Sequence, residues 1–230
     1  MAADMPPGMA PDMPPPRIAV LGAGHTGPVL AKVLTEAGYP VSIAASGDPQ
    51  RIALIISVLA PGAKPRWAAD AIAEADIVIL AVPLHRFAGL DPAWFEGKIV
   101  VDTMNYWPPT DGVQAMFDDP RQDPSSGYGR GSSEIVRDHL PGATVVKSLN
   151  HIGYHELDEA RRPHGAERRR ALGVAGDDPD AVALIAGILD RVGYDPVTLP
   201  ALAEGRAFQP GGPVFGADFT RDQFDKEVSS

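Results

Sequence analysis

The stretch RIAVLGAGHTGPVL, Arg17 to Leu30, decides the fold. RIAVLG is an apolar, β-branched run that reads as a buried strand. HTGPVLAKVLTEAG then reads as a helix that stops at Gly38, a natural C-terminal cap. Between them, Gly22-Ala23-Gly24-His25-Thr26-Gly27 fits G-x-G-x-x-G in the context that motif requires, after a strand and at the start of a helix. Gly22 serves the tight turn, Gly24 lets a pyrophosphate approach the backbone, and Gly27 permits close helix–strand contact. Free N–H groups and a partial positive charge at the helix N-terminus suit phosphates. The competing reading is a glycine-rich turn that binds nothing.

Working outward, strands and helices alternate. PVSIAA is a second strand, and Asp48-Pro49 opens a helix to about Leu59, a capping acid followed by a first-turn proline. DIVILAV, Asp76 to Val82, is a continuous apolar run of the kind buried on both faces of a parallel sheet. KIVVDT follows a short helical connection; GSSEIVRDHL reads as a helix and ATVVKSL as a return to the sheet. ALGVAG, DPDAVALIAGILDRVG and YDPVTL give a further strand, helix and strand. No internal repeat is visible. The alternation predicts an α/β chain, a Rossmann-type doubly wound parallel sheet with a small C-terminal α/β subdomain. The expected division is a disordered Pro-rich tail at 1–16, a nucleotide-binding domain at 17–149, and a small substrate or dimerisation domain at 150–230. Residues 106–130, rich in Pro, Gly and Asp, are expected to form a long functional or mobile loop.

Composition narrows the classes. The 230 residues are 44% hydrophobic and 22% charged, with a net charge of −10 that offers no global attraction to nucleic acid or anionic membrane. With no cysteine, disulfides, thiolate zinc sites and cysteine nucleophiles are excluded, which fits a cytoplasmic protein. The first sixteen residues have neither the basic start nor the apolar core of a signal peptide. No run approaches the roughly 20 apolar residues that span a bilayer.

The choice of nicotinamide cofactor falls in IAASGDPQR. An NAD enzyme places Asp or Glu there to hold the ribose hydroxyls; this chain has Ala45, Ser46 and Gly47. Ser46 can donate to a 2′-phosphate, Gly47 offers a bare backbone N–H, and Arg51 at ~4 Å would gain up to about 4 kcal/mol before desolvation. Asp48 opposes this unless it is turned away as the helix cap. NADP is therefore the expected cofactor, the alternative for Arg51 being a solvated surface residue. Val82 and Pro83 end a strand at the edge where ligands bind, with Arg86 within reach of phosphate, although Pro83 can equally just start a helix. Asn105 reaches the same edge, to hold a carboxamide or ribose or simply to form a turn.

His151 and His155 have i, i+4 spacing but no third ligand at a recognisable distance, so surface or pocket-lining roles are expected rather than a metal. No nucleophile elbow, P-loop or kinase set is present. ARRPHGAERRR, Ala160 to Arg170, holds five arginines in eleven residues of an acidic chain. It reads as a solvated face or, more sharply, as a docking patch for an anionic tail.

The cradle, DIVILAVP, VVDTMNYWPP, KSLNHIGYHEL, VAGDDPDA and PALAEGRAFQPGGPVFG together resemble the NADPH:coenzyme F-420 oxidoreductase family and its wider group of dinucleotide-binding reductases. The likeness covers nearly everything after the tail. It implies a Rossmann domain with a small C-terminal part, often as a homodimer, and hydride transfer between NADP(H) and an 8-hydroxy-5-deazaflavin co-substrate. By this resemblance Ala23 to Thr26 hold phosphate. Ser46 meets the 2′-phosphate, with Gly47 where the pattern can carry arginine and Arg51 where it carries a basic residue. Val82 and Arg86 contact cofactor, and Asn150, His151, Ile152, Gly153 and Tyr154 lie beside the nicotinamide and the incoming deazaflavin. Direct transfer between stacked rings needs no protein nucleophile, so no catalytic side chain is expected. Two alternatives stay open: an NADPH-dependent reductase of a flavin, quinone or small carbonyl compound, and a non-catalytic NADP-binding sensor.

Overall fold

The strand read from RIAVLG is β1 (Ile18–Leu21), and the glycine turn leads into α1 (Thr26–Glu36). In chain order there follow β2 (Val41–Ala44), α2 (Gln50–Leu59), β3 (Lys64–Pro65), α3 (Ala68–Glu74), β4 (Ile77–Leu80) and α4 (Leu84–Phe87). A 3-10 turn at Pro92–Phe95 precedes β5 (Ile99–Asp102), α5 (Ser132–His139), β6 (Thr144–Ser148) and α6 (Glu156–Glu159). The chain continues through β7 (Ala171–Gly176), α7 (Pro179–Val192), β8 (Asp195–Leu199), a 3-10 segment at Leu202–Phe208 and α8 (Arg221–Val228). This computed structural model describes residues 14–107, 111–112 and 130–229. The expected tail up to residue 13, and 108–110 and 113–129 of the expected long loop, lie outside the described residues.

The strands form one eight-stranded sheet in the order β3-β2-β1-β4-β5-β6-β7-β8. All neighbours are parallel except β6 and β7, which pair antiparallel. The C-terminal elements thus extend the nucleotide-binding sheet: beyond residue 150 the chain turns back beside β6. Chain order reverses direction between β1 and β4, which creates the crevice beyond the carboxyl ends where such sheets take ligands.

Alternation explains the apolar runs. On β1, Ile18 and Val20 face a core built with α1, α2 and α7, while Ala19 and Leu21 face a second core with α3 and α5. β4 repeats the pattern, Ile77 and Ile79 against Val78 and Leu80. A strand covered on both faces has no position left for a polar residue. β3 and α3 carry little sequence signal, since one is two residues including a proline and the other seven. The expected caps are present: Asp48 Oδ1 accepts from Gln50 N–H at 2.9 Å, and Asp178 Oδ1 accepts from Ala181 N–H at 2.9 Å.

Candidate functional site

Gly22 and Gly27 do the turn and packing work that their spacing implies. Gly22 has φ +115°, and a Cβ there would sit 2.2 Å from the Ala81 carbonyl oxygen of the loop after β4. A Cβ at Gly27 would meet the Gly22 carbonyl oxygen at 1.8 Å. At Gly24 nothing lies within 4 Å, so packing does not demand glycine; the empty space faces outward, where a pyrophosphate would approach. No side chain caps α1 and its first turn holds no acid, so its N–H groups keep their affinity for an anion. These residues fit a dinucleotide.

The loop after β2 leaves Ser46, Gly47 and Arg51 exposed. Gly47 takes φ +105°, with nothing within 4 Å of the position its Cβ would have. Asp48 is engaged as the α2 cap, which turns its carboxylate to the backbone instead of opposing a phosphate. Val82 lies against the cradle, its N atom 3.2 Å from a Cβ placed on Gly22. Pro83 precedes α4, and Arg86 is exposed.

Asn150 joins the other loops of this edge. Its Nδ2 donates to Asn105 Oδ1 at 2.8 Å and to the Phe208 carbonyl at 2.7 Å, while Asn105 Nδ2 donates to the Asn150 carbonyl at 2.6 Å. Gly216 N–H donates to the His151 carbonyl at 2.9 Å, drawing in the C-terminal loop that exposes Phe215. Tyr154 reaches back to the cradle, where its ring stacks on His25 with centroids 5.1 Å apart and planes 20° from parallel. The segment is strapped over α1 by Asp158, which accepts from Lys32 and Arg161, and by the Arg161–Glu36 pair. The Lys32 hydrogen bond holds the Asp158 carboxyl below the usual carboxylate range.

Several expectations need correction. The His151 ring is buried, 4.9 Å from Phe208 and edge-on to Phe224, and its Nε2 accepts from Gly173 N–H at 3.1 Å. It faces the core and cannot line a substrate pocket. Asn150 and Ile152 are likewise buried, so of the NHIGY run Tyr154 presents its side chain, with Gly153 half-buried. The arginine cluster is a solvated face only in part: Arg162 and Arg168 are exposed, whereas Arg169 and Arg170 are buried and taken up by internal partners. Arg169 is buried and bridges Asp190 and Asp195 at 2.6 and 2.7 Å. Arg170, also buried, pairs with Glu156 at 3.2 Å and donates to the Ala217 carbonyl; Arg168 pairs with Asp218. Local sequence cannot show these partners, which lie 14 to 50 residues away along the chain.

Burial, then the Arg170 and Lys147 charges, push His151 down to about 3. Between pH 6.5 and about 3 the unfolded chain therefore binds a proton that the native state refuses, so stability rises with pH across that window. At pH 5 the cost is roughly 2 kcal/mol relative to pH 7.5. Urea midpoints measured from pH 7.5 to 5 should fall accordingly, and His151→Gln should flatten the slope by about one proton; an unchanged slope would place the ring in water.

The sequence reading passed over a polar network beneath the site. Asp102 accepts from Ser133 Oγ at 2.6 Å, Met104 N–H at 2.8 Å and Lys147 Nζ at 3.2 Å, and Lys147 Nζ also donates to the Met104 carbonyl. Asp102 and Lys147 are both fully buried. Desolvation lowers the Lys147 ammonium, with Asp102 opposing. A lysine inside the apolar run ATVVKSL was the available signal. Asp111 was also missed: it accepts from Trp107 N–H and contacts His85 Nδ1 at 3.1 Å, linking the loops after β4 and β5. Among the described residues no group of three His, Asp or Glu side chains is arranged to hold a metal.

Fold and glycine turn together define a Rossmann-type α/β protein whose turn fits a dinucleotide. Residues 17–106 match the family model described as NADP oxidoreductase, coenzyme F420-dependent. The solved structure of the hypothetical protein SMa0349 from Sinorhizobium meliloti is 32% identical, with 90% of this chain and 96% of that one covered at a TM-score of 0.73. A candidate F420-dependent NADP reductase from Arthrobacter sp. FB24 is 25% identical over 83% of this chain and 87% of its own, with a TM-score of 0.67. Glycerol-3-phosphate dehydrogenase [NAD(P)+] of Parafrankia sp. is 25% identical over 81% of this chain. The chain spans 46% and 64% of the lengths of the two curated relatives it matches. The match to the F420-dependent NADP oxidoreductase family thus falls on the nucleotide-binding part of the chain. No helix among the described residues is long and apolar enough to cross a membrane.

Proposed function

We propose that the protein moves hydride between NADPH and the 8-hydroxy-5-deazaflavin coenzyme F-420. The observation that carries this reading is the His25–Tyr154 stack, which joins the phosphate cradle to the segment assigned by resemblance to the reacting rings. Trp107, Tyr154 and Phe215, all exposed, sit on loops at the carboxyl edge of β1–β6 and suit a flat partner. NADPH, when bound, supplies the hydride.

The chain's own residues do the positioning. Gly24, His25 and Thr26 present backbone N–H groups to the pyrophosphate, and Ser46, Gly47 and Arg51 hold the 2′-phosphate. Asn105, fixed by Asn150, offers an amide to the carboxamide or ribose. Tyr154 excludes water from one side. None of these roles requires a general base, because a hydride passes directly between aligned carbons.

Mixing the protein with NADPH and oxidised F-420 should bleach the deazaflavin absorbance. An unbleached spectrum with NADPH demonstrably bound would overturn the reading in favour of another acceptor or of a sensor. For the cofactor, Arg51→Ala should cut the NADPH-over-NADH preference about tenfold, equivalent to ~1.4 kcal/mol for one exposed charge-assisted contact. An unchanged ratio of dissociation constants would remove Arg51 from the phosphate site.

A further inference from the structure

The amino ends of β1, β2 and β3 open beside α3 onto a cleft of about 240 Å³, at the edge of the sheet opposite the glycine turn. Side chains alternate along a strand, so Arg17 shares the face of Ala19 and Ser42 shares the face of Ala44, both of which pack toward α3. Register pairs Lys64 with Ser42, and Arg66 lies two residues further on, so all four side chains project to that one side. The facing wall carries Ala71 and Ala75, too small to fill the space. We propose that this cleft binds a phosphate monoester of a small polyol, a ligand separate from the dinucleotide.

Charge carries the argument. Arg17, Lys64 and Arg66 meet here in a chain of net charge −10. Arg17 Nε and Nη2 donate to Asp76 at 3.3 and 3.1 Å, and Arg66 Nη1 donates to Glu74 at 2.9 Å. These pairs hold both guanidinium groups in place and leave Arg17 Nη1 and Arg66 Nη2 with protons to give. Lys64 Nζ and Ser42 Oγ have no partner among the described residues, so the positive charge of Lys64 is uncompensated. The remaining donors are therefore separate N–H groups and one hydroxyl, arriving from the ends of three adjacent strands. That arrangement suits the three terminal oxygens of a phosphate. A carboxylate is met best by one guanidinium fork, and Asp76 already takes the fork of Arg17. Glu74 uses Oε1 for Arg66, and its Oε2 is left to accept from a ligand hydroxyl. The volume is that of about eight waters, room for a sugar phosphate but not for a dinucleotide. β1 sets the cleft roughly 13 Å from the glycine turn, so the two sites do not overlap.

Titrating the isotope-labelled full chain with ribose 5-phosphate should shift the backbone amide NMR signals of Ser42, Gly62, Lys64 and Arg66 along one saturable curve. Lys64→Gln removes the charge and should weaken that binding about tenfold, the loss expected for one charge-assisted contact. Lys64 is exposed and outside the hydrophobic clusters, so the variant should keep the wild-type thermal midpoint. Ribose should cause no shifts, and malate should bind more weakly than the phosphate. Shifts confined to Gly24, His25, Thr26, Ser46 and Gly47 would send the phosphate to the other edge of the sheet and overturn the proposal, as would undiminished affinity in Lys64→Gln. Malate binding as tightly as ribose 5-phosphate would overturn the choice of phosphate. None of these readouts needs a nicotinamide cofactor or a hydride acceptor, so the proposal stands or falls apart from the reading of hydride transfer.

Discussion

Gly24→Val is expected to weaken NADPH binding at least ~100-fold, about 2.7 kcal/mol, while leaving the thermal midpoint within about 2 °C of wild type. The space where the valine Cβ would go is empty of protein, and Gly24 is not among the glycines with positive φ, so neither clash nor backbone strain opposes the substitution in the free protein. The same branched side chain would occupy the route by which a pyrophosphate reaches the first turn of α1. Gly27→Ala makes the contrast. Its one added carbon would lie 1.8 Å from the Gly22 carbonyl oxygen, backbone that cannot move without opening the β1–α1 turn. That variant should lose on the order of 3 kcal/mol, a fall of about 6–12 °C for a domain of this size. Calorimetric titration with scanning fluorimetry separates the two. Undiminished NADPH affinity in a folded Gly24→Val protein would show that the empty space is not the phosphate site.

The second large effect concerns the buried charges. Lys147→Met keeps the volume but removes the ammonium, leaving the fully buried Asp102 carboxylate with only Ser133 Oγ and the Met104 N–H, and the Met104 carbonyl without its side-chain donor. A loss of about 3–5 kcal/mol in denaturant unfolding is expected. Lys147→Met/Asp102→Asn should recover a substantial part of it, since the amide no longer asks for a cation. If the single variant lies within about 1 kcal/mol of wild type, the pair is not structural. Because the lysine holds the carbonyl of Met104, next to Asn105, the single variant should also bind NADPH more weakly at temperatures where it remains folded.

Much of this was legible in the sequence because the signals are local. The apolar runs at Ile18–Leu21 and Ile77–Leu80 are strands because both of their faces are covered, and periodicity reports that directly. The Asp178-Pro179 pair marks the start of α7 because cap and first turn are neighbours in the chain. Terminal α8 was less visible: it lies in a Gly-, Pro- and aromatic-rich tail, and only the Thr220–Gln223 cap announces it.

The site divides in the same way. Gly22 and Gly27 could be read with their separate roles, since a turn and the helix it starts are contiguous. The arginines could not. Arg169 and Arg170 look like a basic surface run, but β7 carries the chain back into the sheet beside Asp190, Asp195 and Glu156, and burial of their guanidinium groups follows from that return. His151 shares this origin, its environment set by Phe208, Phe224 and Gly173 arriving from far along the chain. What the sequence alone determined was the alternating fold and its glycine turn, because hydrophobic period and glycine spacing act between residues a few positions apart. What only the tertiary structure decided was which polar groups are buried and paired, because charge compensation depends on distance in space.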